Sequence, residues 1–274
     1  MPVGLFATLG TAYHFLWSER RDLIAYAFLP VLLVTFVQIA GLWATGEWQT
    51  VFEPPEPAPA RDPDQAPPAF DIPRIHIAAM AANAVAAFVA YAMFAVAWFR
   101  RYLVGPEGMT VGAAMRWGQR QWRFVSRFLM LIFLVLVLGA LATVPLDLLT
   151  ASNPMFGVLA RAVIVVATLL VTSRLLLTLP AAAVDRTFGF RDAANATKGK
   201  SWYMVGIYLF SLLPMLFVLI FVGQIVSGLA LGIGGPSLTF LLVALLVQQA
   251  VMFIAIAAQV TALAEAYRQL APPA

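Results

Sequence analysis

The sequence predicts an all-α integral membrane protein: a six-helix bundle of three helical hairpins, with amphipathic helices at the membrane interface. Three observations carry that class. Of 274 residues, 62% are hydrophobic and 11% charged, with mean hydropathy +0.88, whereas a soluble domain holds about a quarter charged residues. Six apolar runs occur, at 23–45, 75–99, 128–149, 158–179, 203–230 and 237–264. Each is long enough to cross about 30 Å of hydrocarbon, which takes roughly 20 helical residues. The alternating pattern of a membrane β-barrel does not occur. The whole chain, 1–274, reads as a single transmembrane domain.

Orientation follows from the positive charges. One set of connecting segments holds thirteen: Arg20, Arg21, Arg100, Arg101, Arg116, Arg120, Arg123, Arg127, Arg186, Arg191, Lys198, Lys200 and Arg268. The other holds three: Arg61, Arg74 and Arg161. Lys and Arg concentrate in cytoplasmic loops, so both termini are expected in the cytoplasm. Arginine makes up 15 of the 17 basic residues and alanine is abundant, a bias that points to a GC-rich bacterial genome and hence a bacterial inner membrane. The N-terminus lacks a basic segment followed by an early apolar one, so the first span is expected to stay as an anchor with no cleaved signal peptide. The absence of cysteine excludes disulfides, thiolate metal sites and cysteine nucleophiles.

Between the first two spans, 46–74 reads GEWQTVFEPPEPAPARDPDQAPPAFDIPR, with eight of the 18 prolines and six acids against two arginines. Such a periplasmic segment buries no core and is expected to be extended. It reads either as a solvated linker or as a docking site for a periplasmic partner.

The membrane hairpins are preceded by related lead-ins. At an offset of 80, residues 104–124 align with 184–204: Val104 meets Val184, Ala113 and Ala114 meet Ala193 and Ala194, and Trp122 meets Trp202. LGTAYHFLWSERRDL near the N-terminus reads as a third copy. There Thr8, Thr11, His14 and Ser18 recur at helical spacing opposite Leu5, Leu9, Tyr13 and Leu16. In the second lead-in Arg116, Arg120, Arg123 and Arg127 fall on one face. Helices of this sort lie in the headgroup plane, and each basic residue there adds about 1 kcal/mol of attraction to anionic lipid. The stripe is therefore either a topology determinant or a contact for lipid or another membrane protein.

The stretch 179–210, LPAAAVDRTFGFRDAANATKGKSWYMVGIYLF, resembles a signature of multi-span bacterial inner-membrane proteins, a group similar to the membrane domain fused to some glycerophosphodiester phosphodiesterases. The residues that carry the resemblance are Leu179-Pro180, Asp185, Lys198-Gly199 and Trp202. No phosphodiesterase domain is present, so that catalytic activity is not carried over with the resemblance.

Arg174 is a permanent charge inside the otherwise apolar stretch LLVTSRLLLTLPAAAV, 169–184. Aligning Pro180 with Arg100 sets it six residues inside the interface, about 9 Å deep at 1.5 Å per residue. It reads either as a structural donor to carbonyls freed near Pro180 or to headgroups, or as an anion or lipid-phosphate ligand. Gln248 and Gln259 share a face of the sixth span with Ala244, Ala255, Ala262 and Ala266, which suits close helix packing and bonding across it, or a hydrated path. The second span carries Ala82, Ala86 and Ala90 in a row and is expected to be central, with Asn83 bonding to a neighbour. Asp147 and Arg161 are expected to pair or anchor at the interface, and Pro30, Pro145 and Pro214 to kink their helices.

Motifs for chemistry are scarce. ANATKGKS, 194–201, fits a lax phosphate-loop pattern but lacks the strand–loop–helix context that pattern requires. His14 and His76 fall on opposite sides of the membrane in this topology. No metal, cofactor, nucleic-acid partner or enzymatic activity is implied. The reading is a non-catalytic bacterial inner-membrane protein of envelope organisation or membrane-complex assembly, with membrane lipids and other membrane proteins as partners. The alternative is a transporter or lipid-handling protein with a cavity near Arg174.

Overall fold

The computed structural model describes residues 4–47, 73–106, 111–114, 116–150, 154–232 and 238–271. Among them the secondary structure is helical, with no strand. The helices are α1 (Leu5–Ser18), α2 (Arg20–Thr45), α3 (Arg74–Leu103), α4 (Val111–Ala114), α5 (Gln119–Thr150), α6 (Pro154–Leu175), α7 (Thr178–Ala183), α8 (Phe190–Ala196), α9 (Ser201–Gly232) and α10 (Leu238–Leu270). Six helical stretches are long and apolar enough to cross a membrane: 20–45, 74–103, 119–141, 157–183, 201–226 and 239–270. These mark a multi-pass membrane protein. Most of the proline-rich segment, 48–72, lies outside the described residues, as does the Asp147 side chain and with it the expected pairing to Arg161.

Local sequence explains the departures from the expected spans. The fourth span is broken between α6 and α7. Pro180 has no N–H to give and its ring crowds the carbonyl four residues back; the carbonyl of Leu176 instead accepts from Leu179 N–H at 3.0 Å. The helix continues through Pro30 and Pro214. At the other end of the third span, α5 starts at Gln119, nine residues before 128, because the lead-in runs straight into the span.

The lead-ins differ from the expected surface helices. In α1 the buried face is Thr8, Leu9, Ala12 and Leu16. Thr8, expected on the polar face, is fully buried; its hydroxyl bonds Gly4 O at 3.1 Å and Tyr203 Oη at 2.8 Å, so its polarity is satisfied inside. Phe6 and Trp17 are exposed instead. In the second lead-in Val111–Ala114 forms a short α-helix, and Arg116 lies outside any helix and therefore off the expected arginine stripe.

The chain forms two compact units. The first comprises Met1–Tyr26, Ala92–Leu216 and Ile254–Ala274. At its centre every residue from Phe94 to Phe99 is at most 1% exposed, so α3 is enclosed on all sides there. Trp98 stacks on Phe94, meets Phe15 and Tyr26 edge-on, and donates its indole N–H to Thr261 Oγ1 at 2.8 Å. Helix α5 packs against α6 and α7, and α6 against α8.

The second unit comprises Ala27–Tyr91 and Phe217–Phe253. Val34, Ala86, Ala90, Leu241, Leu245 and Phe253 are buried there. A Cβ on Gly41 would lie 3.5 Å from Ala79 Cβ, so α2 and α3 approach closely where both side chains are small. Ala82, in line with Ala86 and Ala90, is exposed.

Candidate functional site

Polar side chains in the first unit gather into ion-paired and hydrogen-bonded groups. The most charged of these centres on Asp185, the residue after the C-cap of α7. The end of α7 is closed by Asp185 N–H to Ala182 O at 3.4 Å and Arg186 N–H to Ala181 O at 3.0 Å, the paired bonds of a Schellman motif. That motif puts Asp185 at φ 60°, a conformation open to glycine and tolerated by aspartate. Its carboxylate then meets three arginines: Arg120 Nε at 2.6 Å, Arg123 Nη1 at 3.4 Å and Arg100 Nη1 at 3.5 Å. Arg100 also donates to Ala183 O at 3.2 Å, is 9% exposed, and leaves its Nε buried without a partner. Three guanidiniums against one carboxylate leave a local charge of +2.

The four arginines of the expected stripe thus have different surroundings. Arg120 and Arg123 belong to the Asp185 cluster. Arg127 donates to Thr178 O at 2.8 Å and so fastens α5 to the first turn of α7. Arg116 is exposed ahead of α5.

Arg174 spends its donors on α8. Its Nη2 gives to Ala194 O at 2.6 Å and its Nε to Thr197 Oγ1 at 3.2 Å. Ala194 is in the last turn of α8 and Thr197 is its C-cap, where a helix carries partial negative charge and unfilled carbonyls. The acceptors shown for it, one carbonyl and one hydroxyl, belong to the end of α8 and not to the carbonyls near Pro180. At the other end of α8, Asp192 accepts the Gly189 N–H at 2.8 Å.

Two further networks involve residues to which sequence reasoning gave no role. Glu265, 4% exposed, accepts from Tyr102 Oη at 2.6 Å, Gln269 Nε2 at 2.7 Å and Arg268 Nη2 at 2.7 Å. Through Gln269, Tyr203 and Thr8 that network reaches α1. Arg101 forks onto Glu19 and Asp22, both at 2.6 Å. The available signal was a lone carboxylate at the end of an apolar run, and adjacent acids beside the first span. Tyr13 donates to Ser211 O at 2.8 Å, and burial pushes its pKa up, so it remains a donor at physiological pH. A depression of about 650 Å³ is bordered by Leu103, Val184, Arg186 and Tyr267.

The amides divide. Gln248 is exposed, and the amide that bonds across helices is its neighbour: Gln249 Nε2 gives to Gln38 Oε1 at 3.0 Å in the second unit. One residue rotates a helical position by about 100°, which separates the two. Gln259 is half-buried in the first unit. Asn83 has a buried Oδ1 without a partner. His76 Nε2 lies 3.2 Å from Glu47 Oε1, and His14 is exposed.

Three of the signature residues of 179–210 have a structural duty. Pro180 breaks the span, Asp185 gathers arginines, and Gly199 at φ 75° turns the chain between α8 and α9. Trp202 is exposed at the start of α9. No protein-family model matches the chain, and no curated protein or solved structure matches it.

Proposed function

We propose that this chain is a non-catalytic protein of the bacterial inner membrane, with both termini in the cytoplasm, serving envelope organisation or membrane-complex assembly as a scaffold of three helical hairpins. The observation that carries the reading is the use made of its charged groups. Asp185, Glu265, Arg101, Arg127 and Arg174 all tie helices of one unit to each other, which is the work of a rigid frame. The transport alternative required Arg174 to face a cavity. Two of its N–H donors bind Ala194 and Thr197 of α8, a latch within the frame, which supports the scaffold reading. The thirteen-to-three distribution of basic residues supports the orientation.

Reporter enzymes fused at residues 60, 112, 154, 195 and 234 test the topology: periplasmic activity is expected at 60, 154 and 234, and periplasmic activity at 112 or 195 would overturn it. Assembly is tested by purifying the full chain in mild detergent and identifying membrane proteins that remain bound in stoichiometric amount. A chain that runs as a bare monomer, and moves solute when reconstituted, contradicts the scaffold reading.

A further inference from the structure

We infer that Arg120 and Arg123, in the first turns of α5, form a binding site for a phosphate-class anion, with Asp185 holding the two guanidiniums in place and Arg100 adding charge behind them. The inference deepens the scaffold reading by giving the frame a ligand at its basic end.

The first observation is a broken local rule. Helix N-termini carry partial positive charge and favour acids, yet the first turn of α5 holds no acid and has Arg120 as its second residue. Two more positive groups are brought to the same place, Arg123 one turn on and Arg100 from α3. One carboxylate answers three guanidiniums, leaving +2 and many N–H donors unfilled. A frame that needed only an ion pair would not gather three arginines on one acid.

The second observation is access. The side chains of Arg120 and Arg123 are 46% and 49% exposed. Each has one bond to Asp185, which fixes the guanidinium and leaves the rest of its fork outward. The planar arginine fork matches phosphate oxygens two at a time. Arg100, by contrast, is buried and contributes field alone.

The third is the conformation of Asp185. The equivalent residue 80 positions earlier, Gly105, has φ 96°. A side chain is kept at the second position despite the strained backbone, and its carboxylate is what orients the arginines. Beside them Trp122 is exposed and meets Trp117 edge-on at 5.5 Å. Exposed indoles mark the headgroup level of a bilayer, where the abundant phosphate is that of an anionic lipid. A soluble phosphate or phosphomonoester presents the same chemistry.

The test compares wild type, the double change Arg120→Gln with Arg123→Gln, and Arg116→Gln, which removes an equally exposed arginine outside the cluster. The full chain is purified in mild detergent and equilibrated with vesicles of phosphatidylcholine with and without phosphatidylglycerol, and the retained phosphatidylglycerol is counted by native mass spectrometry. In a second arm, inorganic phosphate is titrated in phosphatidylcholine alone and thermal unfolding is followed. The double change should lose about tenfold in one arm, while Arg116→Gln matches wild type. Loss in the lipid arm identifies a headgroup, and loss in the phosphate arm identifies a soluble anion. Equal binding by all three proteins, or equal loss from the double change and Arg116→Gln, would overturn the site. Should the glutamines disturb folding, Arg120→Lys with Arg123→Lys keeps the charge and removes the forks; unchanged binding by that variant overturns it as well.

Discussion

Two stretches of the first unit, 94–122 and 174–202, lie 80 residues apart and close their helices alike. Val104 N–H bonds Arg100 O at 2.8 Å, and Val184 N–H bonds Pro180 O at 3.2 Å. The residue that follows has a positive φ in both, Gly105 at 96° and Asp185 at 60°. Trp122 and Trp202 are both exposed. The backbone plan is shared, and the side chains set on it are not. Where the first copy has Gly105, the second has a carboxylate that draws in three arginines. Where the first has Phe94, stacked on Trp98 in the core, the second has Arg174, latched to α8. Where the first has Arg100, which donates to Ala183 O, the second has Pro180, which breaks its helix. The same closing turn thus carries different chemistry in the two stretches: the later one supplies the carboxylate, and Arg100 and Arg120 of the earlier one, with Arg123 just beyond it, meet that carboxylate.

The largest effect should come from Asp185→Ala. It leaves three arginines without their shared acid and places a Cβ with no compensating contact in the left-handed region. Removing one partner of a buried pair costs about 3–5 kcal/mol; with two of the arginines half-exposed, about 2 kcal/mol is expected here, read as lowered thermal stability in detergent. Unchanged stability would make the cluster incidental.

Next is Arg174→Gln, which removes the charge at the position where the earlier stretch has Phe94. Hydrogen bonds from charged groups contribute about 1.5–3 kcal/mol. Amide exchange across Phe190–Ala196 should therefore quicken by roughly thirtyfold, for a loss of about 2 kcal/mol, while α5 stays protected. Uniform exchange across both helices would show that the latch is not local.

The smallest effects separate backbone from charge. Gly105→Ala meets no atom within 4 Å, so its cost is conformational alone, about 1 kcal/mol. Asp185→Gly should recover about the same amount relative to Asp185→Ala. If glycine and alanine at 185 are equally stable, strain at that position is not part of the design.

Much of the frame was legible in the sequence, because a run of about 20 apolar residues has one structural solution in a bilayer. The break at Pro180 follows from a missing donor and was readable in principle, although the fourth span reads as continuous on hydropathy alone. The cluster was not readable. Asp185 stands out as a signature residue and Arg120 and Arg123 as part of a stripe, but their meeting spans 65 and 62 residues of chain and depends on how α5, α3 and α7 pack. Arg174 could be singled out by its surroundings; its partner could not, since α8 folds back only in the tertiary structure. Gln248 and Gln249 are equal in composition and differ by a rotation that hydropathy does not resolve. Thr8 and Glu265 show the same limit from the other side: polarity alone assigns a residue to the surface, and a bonded network overrides it.

The Asp185 carboxylate holds the arginines of α3 and α5 together at the end of α7. A double-mutant cycle of Asp185→Asn and Arg120→Gln, read by thermal unfolding of the full chain in detergent, tests it most directly. Asparagine keeps the side-chain shape and tolerates the left-handed backbone, so the cycle isolates the charge. A coupling of about 1 kcal/mol is expected for a pair in direct contact. Additive effects of the two changes would contradict the claim.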